Sequence, residues 1–268
     1  MTASDELLHP AIRRALWDMR WTSLRPLQDQ TIQTFFTTPN PLILSASTAS
    51  GKTEAAFLPV LSAIADEAEG SVRAIYVGPL KALINDQFSR VETLCQHSNI
   101  PVHRWHGDVS ATDKERLRSD PGGVLLITPE SLESAFINYG NRLTRIFASL
   151  DYIVIDELHS FIGDVRGVHL RSLIHRLAQV IGKMPRILGL SATLADFDSA
   201  RRFLDSIDPA RVTVIEDHTE KRSIKIGLRA YPQPKPRPVE GEGETEPEAK
   251  TRTAANAVEA SEDLATLA

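Results

Sequence analysis

Leu42-Ile43-Leu44 runs into Ala46-Ser47-Thr48-Ala49-Ser50-Gly51-Lys52-Thr53, and a helix-forming stretch follows. A strand, a loop of small residues and a helix start make a cradle for an anion. The N–H groups of the loop and of the helix N-terminus point at it, and small side chains let the backbone come close. In such a cradle the ammonium of Lys52 neutralises the β- and γ-phosphates of a nucleotide, and the Thr53 hydroxyl ligates Mg²⁺. Ala46 stands six residues before the lysine, where the general pattern has glycine. On this string alone, a surface turn ending in Gly-Lys-Thr is the competing reading.

About a hundred residues on, the apolar run Ile153-Val154-Ile155 ends in Asp156-Glu157-Leu158-His159. A carboxylate at the tip of a buried strand beside a phosphate loop can hold Mg²⁺ through its water shell, which assigns Asp156. A second carboxylate can orient and deprotonate an attacking water, which assigns Glu157. The alternative is a helix N-cap region, where acids are favoured in any case. The two segments together, Lys52 and Thr53 with Asp156 and Glu157, point to hydrolysis of a nucleoside triphosphate.

These residues need a scaffold that brings them to one edge. Short β-branched runs alternate with longer amphipathic ones. The candidate strands are Leu42–Ser45, Val72–Val77, Pro101–Trp105, Val124–Thr128, Tyr152–Ile155, Ile187–Leu190 and Val212–Ile215. Several are apolar throughout, as parallel strands covered on both faces are. Helical patterns between them include Glu54–Ala65, Lys81–Gln96 and Val165–Ile181, the last with Leu170, Leu173, Ile174, Leu177 and Ile181 on one stripe. The expectation is an α/β fold with a mostly parallel sheet and helices on both faces, binding ligands beyond the C-terminal strand ends.

The 268 residues are 42% hydrophobic and 24% charged, the composition of a chain that folds. One cysteine, Cys95, excludes an intramolecular disulfide framework and suits a reducing cytoplasm. No apolar run approaches the roughly 18 residues of a membrane span, and the acidic start from Met1 to Pro10 carries no export signal. The net charge of −5 is unevenly placed: Tyr231 to Ala268 holds eight acidic and four basic residues, leaving the rest nearly neutral. Basic patches for a polyanion are therefore open to the folded part. Residues 231–253, with Pro232, Pro234, Pro236, Pro238 and Pro247 among glutamates, read as a solvated linker. Residues 254–268 regain helical composition and then stop.

Further segments match one family in order. Leu24-Arg25-Pro26-Leu27-Gln28 precedes the loop, and Gly78-Pro79-Leu80-Lys81-Ala82-Leu83 follows the next strand. Then come Gly107-Asp108, Thr128-Pro129-Glu130-Ser131-Leu132, Asp156-Glu157-Leu158-His159 and Gly189-Leu190-Ser191-Ala192-Thr193. From Leu24 to Thr193 the chain resembles the first RecA-like, P-loop NTPase domain of a superfamily 2 helicase of the DExH kind. Thr48-Ala49-Ser50-Gly51-Lys52-Thr53 resembles the Ski-like branch. Thr53 to Pro59, Pro79 to Leu83, Thr128 to Leu132, and Arg166-Gly167 with His169-Leu170 are similar to the large-helicase-related (Lhr) group.

The resemblance implies ATP as the nucleotide, held by Ser47 to Thr53, with Mg²⁺ on Thr53 and Asp156. It implies that Gln28 reads the adenine edge, with Trp21 beside the base. Pro79, Lys81, Gly107, Thr128 and Pro129 would face the backbone of a single strand, or of a partly duplex one. Ser191 and Thr193 would couple hydrolysis to strand grip. Each position has a plainer reading: an exposed helix glutamine, a Pro-capped helix start, a Ser/Thr cap. The resemblance further implies a 3′-to-5′ motor on DNA in preference to RNA. It makes residues 1–230 the ATP-binding domain and 254–268 the opening of a second RecA-like domain. A Ski-like RNA helicase and a non-catalytic interaction fragment are the alternatives. Cys95, His97, His103 and His106 fit no strong zinc spacing. Trp17 and Trp105 read as core or helix-packing residues rather than base-stacking ones.

Overall fold

The chain is described here by a computed structural model, which covers residues 4–47, 50–192, 194 and 196–217. Thr48, Ala49, Thr193, the linker at 231–253 and the tail at 254–268 lie outside the described residues. Helices α1 (Pro10–Asp18) and α2 (Pro26–Thr37) precede β1 (Leu42–Ser45). Then α3 (Lys52–Ile64) leads to β2 (Ala74–Val77), α4 (Lys81–Leu94) to β3 (Val102–Trp105), and α5 (Ala111–Ser119) to β4 (Val124–Ile127). Finally α6 (Pro129–Ile146) leads to β5 (Tyr152–Ile155), α7 (Val165–Ile181) to β6 (Arg186–Ser191), and α8 (Phe197–Leu204) to β7 (Thr213–Glu216).

The seven strands form one parallel sheet in the order β3-β4-β2-β5-β6-β1-β7. Every strand expected from the sequence is present, with ends shifted by two residues or fewer. The largest shift is at β2, where Val72 and Arg73 instead donate to Ile146 O and Gly123 O and anchor the approach to the strand.

Side chains alternate across each strand, so the sheet carries two cores. Leu42, Leu44, Tyr76, Leu126, Val154 and Leu188 pack under α1 to α4. Ile43, Ile75, Val77, Leu125, Ile153 and Ile187 pack under α5 to α8. With both faces covered, continuous apolar strands are stable, each buried Leu or Ile contributing roughly 1.5–3 kcal/mol. The α7 stripe buries Leu170, Leu173, Ile174 and Leu177, with Ile181 at its edge. α7 also approaches the preceding turn so closely that a Cβ on Gly167 would lie 1.7 Å from Phe161 O.

Register decides what meets at the sheet edge. Val77 pairs with both Ile127 and Ile155, Trp105 pairs with Ile127, and Ser45 pairs with Ser191. The residues that follow these strands therefore emerge side by side. α6 is not one straight helix: Tyr139 has non-helical angles (φ −134°, ψ 21°), just before Gly140. Among the described residues no helix is long and apolar enough to cross a membrane.

Candidate functional site

The phosphate loop is fixed at both ends. Ala46 N–H donates to Ser191 O (3.2 Å), tying the loop to β6 as it leaves β1. At its far end Gly51 is left-handed (φ 85°, ψ 29°), and a Cβ there would lie 2.6 Å from Gln28 Nε2. Only glycine fits on both counts. Lys52 then opens α3, and its ammonium donates to Ala46 O (2.6 Å) and Ser47 O (2.8 Å). Burial lowers the lysine's pKa, and the charges of Glu157 and Asp156 oppose that shift. Lys52 thus sits in the field of both carboxylates. Ser50 is buried in the loop.

Gln28 lies against this loop, not on an exposed helix face. It is 1% exposed, its Oε1 accepts the Arg25 N–H (2.9 Å), and its Nε2 is 3.5 Å from Gly51 O. The same bond to Arg25 closes the start of α2, where Pro26 occupies the first turn. Gln28, Gly51, Lys52, Thr53, Asp156 and Glu157 line one cleft of about 430 Å³. Trp21 lines it too, beside Arg25. Leu83, Gln87 and Arg90 close it from α4, and Arg90 reaches Glu54 Oε1 (3.3 Å). Leu83 closes the Gly78–Leu83 segment, whereas Gln87 and Arg90 belong to none of the matched segments, although the i, i+4, i+7 spacing places all three on one helix face.

Asp156 and Glu157 leave β5 at the cleft. Tyr76, fully buried on the neighbouring β2, donates its phenol to Asp156 Oδ2, while Glu157 N–H donates to Oδ1 (2.9 Å). Burial, then the charge of Asp156, pushes the Tyr76 phenol well above its usual pKa, so it stays a donor. The Tyr76 ring stacks on Phe57 of α3, with centroids 5.7 Å apart. Glu157 is left-handed without being glycine (φ 48°, ψ 48°), a strained conformation that tends to cluster at active sites. It precedes a short 3₁₀ turn, Leu158–Ser160, but its side chain makes no capping bond. Instead Glu157 Oε2 faces His159 Nδ1 (3.5 Å), and that nitrogen is also 3.1 Å from Ser191 Oγ. Ser191, fully buried at the end of β6, therefore contacts the acidic turn.

A second cleft, of about 540 Å³, opens along the same edge. Pro79, Lys81, Gly107 and Thr128 line it, joined by Trp105, His106, Lys114 and Arg166. Pro129 is buried as the first residue of α6. The Lys81 ammonium bonds the Asp108 carboxylate (3.0 and 3.2 Å). Thr128 caps α6, accepting from Ser131 N–H (3.3 Å), so its hydroxyl follows the plainer reading while the residue still faces the cleft. Arg166 donates to Pro79 O (3.0 Å) and Glu130 Oε1 (2.8 Å), bracing two of the cleft's turns. His106 Nε2 meets Asn85 Oδ1 (3.0 Å).

The remaining singled-out residues are scattered. Cys95 is buried and its thiol is pushed up to about 12 by burial. His97 pairs with Asp18, and His103 is buried. Among the described residues no three of His, Cys, Asp and Glu gather into a metal-binding group. Trp105 is packed as expected, but Trp17 is not: it is 78% exposed, because α1 turns Ile12, Ala15 and Leu16 to the core and leaves Trp17 at the margin.

Residues 25–200, about two thirds of the chain, match the family model for the DEAD/DEAH box helicase. The chain is 34% identical over 179 residues to the ATP-dependent helicase Lhr-Core of Methanothermobacter thermautotrophicus, covering 61% of this chain and 20% of that protein. Among solved structures it is similar to the Mycobacterium smegmatis helicase Lhr bound to ssDNA and AMP-PNP. There the TM-score is 0.69 and the identity 26%, over 81% of this chain and 28% of the other. The DUF1998 helicase MrfA bound to DNA superposes with a TM-score of 0.67 at 29% identity, over 81% of this chain and 30% of the other. The chain thus spans about a fifth of the curated Lhr-Core relative's length and under a third of either structure.

Proposed function

Because the chain belongs to the DEAD/DEAH box helicase family, we propose that it is the ATP-binding half of a nucleic-acid motor of the Lhr type. The observation that carries this is one sheet edge bearing two adjacent clefts. One is lined by Lys52, Thr53, Asp156 and Glu157, the other by Pro79, Lys81, Gly107 and Thr128.

In this reading the loop amides and Lys52 bind the phosphates of ATP. To reach them, Lys52 exchanges its bonds to Ala46 O and Ser47 O for phosphate oxygens. Thr53 and Asp156 suit Mg²⁺. A hydroxyl and a carboxylate share the cleft, and each Asp156 oxygen keeps a lone pair beyond the bond it accepts. Bound there, Mg²⁺ would offset charge on the phosphate oxygens. Glu157 Oε accepts the proton of the attacking water, and the strained turn with His159 aims that carboxylate. Gln28 holds the adenine side of the cleft with Trp21, while its bond toward Gly51 O links base recognition to the loop. His159 and Ser191, with Thr193, carry the state of the acidic turn to β6.

The second cleft grips a single strand by its backbone, which positions the strand without reading sequence. DNA is the favoured substrate and 3′-to-5′ the favoured direction, supported by the similarity to Lhr and to DNA-bound MrfA. Residues 1–230 act as the first motor domain, 231–253 as linker and 254–268 as the start of a second RecA-like domain. The γ-phosphoryl group in flight needs an arginine from that partner, worth roughly 10³–10⁵ in rate. The lone buried cysteine suits work in the cytoplasm.

The test measures ATP turnover, with and without single-stranded DNA, on this chain and on a protein extended by about 200 residues. Strand-stimulated turnover and fork unwinding are expected only from the longer protein. In it, Glu157→Gln should keep ATP binding and lose about 10²–10⁴ in rate. Robust unwinding by the short chain would overturn the two-domain reading, and parent-like turnover by Glu157→Gln would overturn the assignment of the base.

A further inference from the structure

The groove lined by Lys81 and Thr128 does not end at its outer wall. Trp105, on the edge strand β3, forms that wall, and its indole meets the ring of Tyr139 edge-on, with centroids 5.6 Å apart and planes at 65°. Tyr139 is the residue where α6 breaks its helical angles. On the far side of this aromatic pair lies another cleft, of about 620 Å³, lined by Arg118, Ile137, Asn138, Tyr139, Gly140 and Arg142.

Charge distinguishes this cleft. Its residues on α6 belong to the stretch 136–146, which holds Arg142 and Arg145 and no acidic residue. Arg142 is exposed and forms no ion pair among the described residues. Arg145 reaches across to Ser119 O (3.2 Å), joining α6 to the end of α5. The Arg118 guanidinium lies 4.7 Å from the Tyr139 ring centroid and also pairs with Glu115. Lys114, in the groove, and Arg118, in the cleft beyond, are one helical turn apart on α5, about 6 Å along its axis. Cations thus continue from groove to cleft on one helix face, over an aromatic ridge.

We propose that the cleft at the α6 break is an exit track for the same single strand: phosphodiester groups leaving the Lys81–Thr128 groove pass the Trp105–Tyr139 ridge and are bound by Arg142 and Arg118. The contact is to backbone phosphate, so it is independent of sequence and sensitive to salt. This rests on the reading of the groove as a nucleic-acid site.

The experiment uses the 268-residue chain and two labelled oligothymidylates, of about five and about fifteen nucleotides, in anisotropy titrations over a range of salt. The proteins are the parent, Arg142→Gln, Arg142→Glu and Lys81→Gln, each checked for an unchanged circular dichroism spectrum. Arg142→Gln is expected to weaken the longer strand several-fold, to lower its salt slope by about 0.7, and to leave the shorter strand alone. Arg142→Glu should do the same more strongly, and Lys81→Gln should weaken both strands. If neither Arg142 variant changes either strand while Lys81→Gln weakens both, the track is wrong and the groove stands. Equal weakening of both strands by Arg142→Gln would put Arg142 in the main groove and overturn the extension. If Lys81→Gln weakens neither, or the parent binds neither, the groove reading falls and the track with it.

Discussion

Removing one oxygen atom from β2 should be felt in folding and in the nucleotide cleft together. In Tyr76→Phe the ring keeps its place against Phe57, so the apolar burial of a fully enclosed side chain hardly changes and no cavity opens. What disappears is the phenol donor to Asp156 Oδ2, a carboxylate that is itself only 7% exposed. A hydrogen bond to a charged group contributes about 1.5–3 kcal/mol, and the desolvation of the lost hydroxyl returns a part of that. The expected loss is therefore about 1–2 kcal/mol, roughly a factor of 5–30 in the folding equilibrium. Urea titration followed by tryptophan fluorescence measures it, with the slope of the transition unchanged. A fluorescent ATP analogue gives the second reading: Tyr76→Phe should weaken binding with Mg²⁺ present more than binding in EDTA, since Asp156 is then held by the Glu157 N–H alone. A stability change within about 0.5 kcal/mol, the range of an inconsequential surface substitution, would refute the reasoning. It would mean that the buried carboxylate does not depend on the phenol.

Two further outcomes follow from the same geometry. Lys52→Ala loses charge-assisted contacts to phosphate worth about 1.5–3 kcal/mol, so calorimetry should show ATP affinity falling roughly ten- to a hundredfold. Folding should lose less than about 2 kcal/mol, because only the bonds to Ala46 O and Ser47 O go, and a larger loss would make the lysine structural. Burial, then the charge of Arg116, pushes the His103 pKa from 6.5 down to about 4, so between these values the unfolded chain binds more protons than the folded one. The stability His103 contributes is complete above pH 6.5 and is lost as pH falls through about 4; urea midpoints across that window should drop more in the parent than in His103→Gln, and equal drops would exclude the histidine as the cause.

The strands were legible because each is a short apolar run covered on both faces, and α7 because five apolar residues repeat at helical spacing. That Lys52 and Thr53 would share a cleft with Asp156 and Glu157 was legible for a related reason: few residue types suit a small-residue loop or the polar tip of a buried strand. Partnerships across the sheet were not. Tyr76 reads as one more apolar strand residue, and its partner Asp156 lies 80 positions away. Gln28 reads as an exposed helix residue until the fold lays Gly51 against it. Trp17 misleads in the opposite direction, since a large aromatic is expected inside and α1 has already filled its core face with smaller residues. The brace from Arg166 to Pro79 O joins residues 87 apart and exists only because β2 and β5 are neighbours.

The position of β1 between β6 and β7 fixes an order of events as the chain is made. The phosphate loop follows the first strand of the sheet in the chain, yet that strand has no partner until residues 186–191 and then 213–216 have followed. Ala46 N–H donates to Ser191 O, so the start of the loop waits for the same residues. By contrast, β3 and β4 are consecutive in the chain and adjacent in space, and can pair as soon as both exist. Closing a gap of more than 140 residues is entropically slow. The β3–β4 side of the sheet is thus free to organise while synthesis continues, and the cleft lined by Lys52 and Asp156 is completed late, when β1 is finally enclosed.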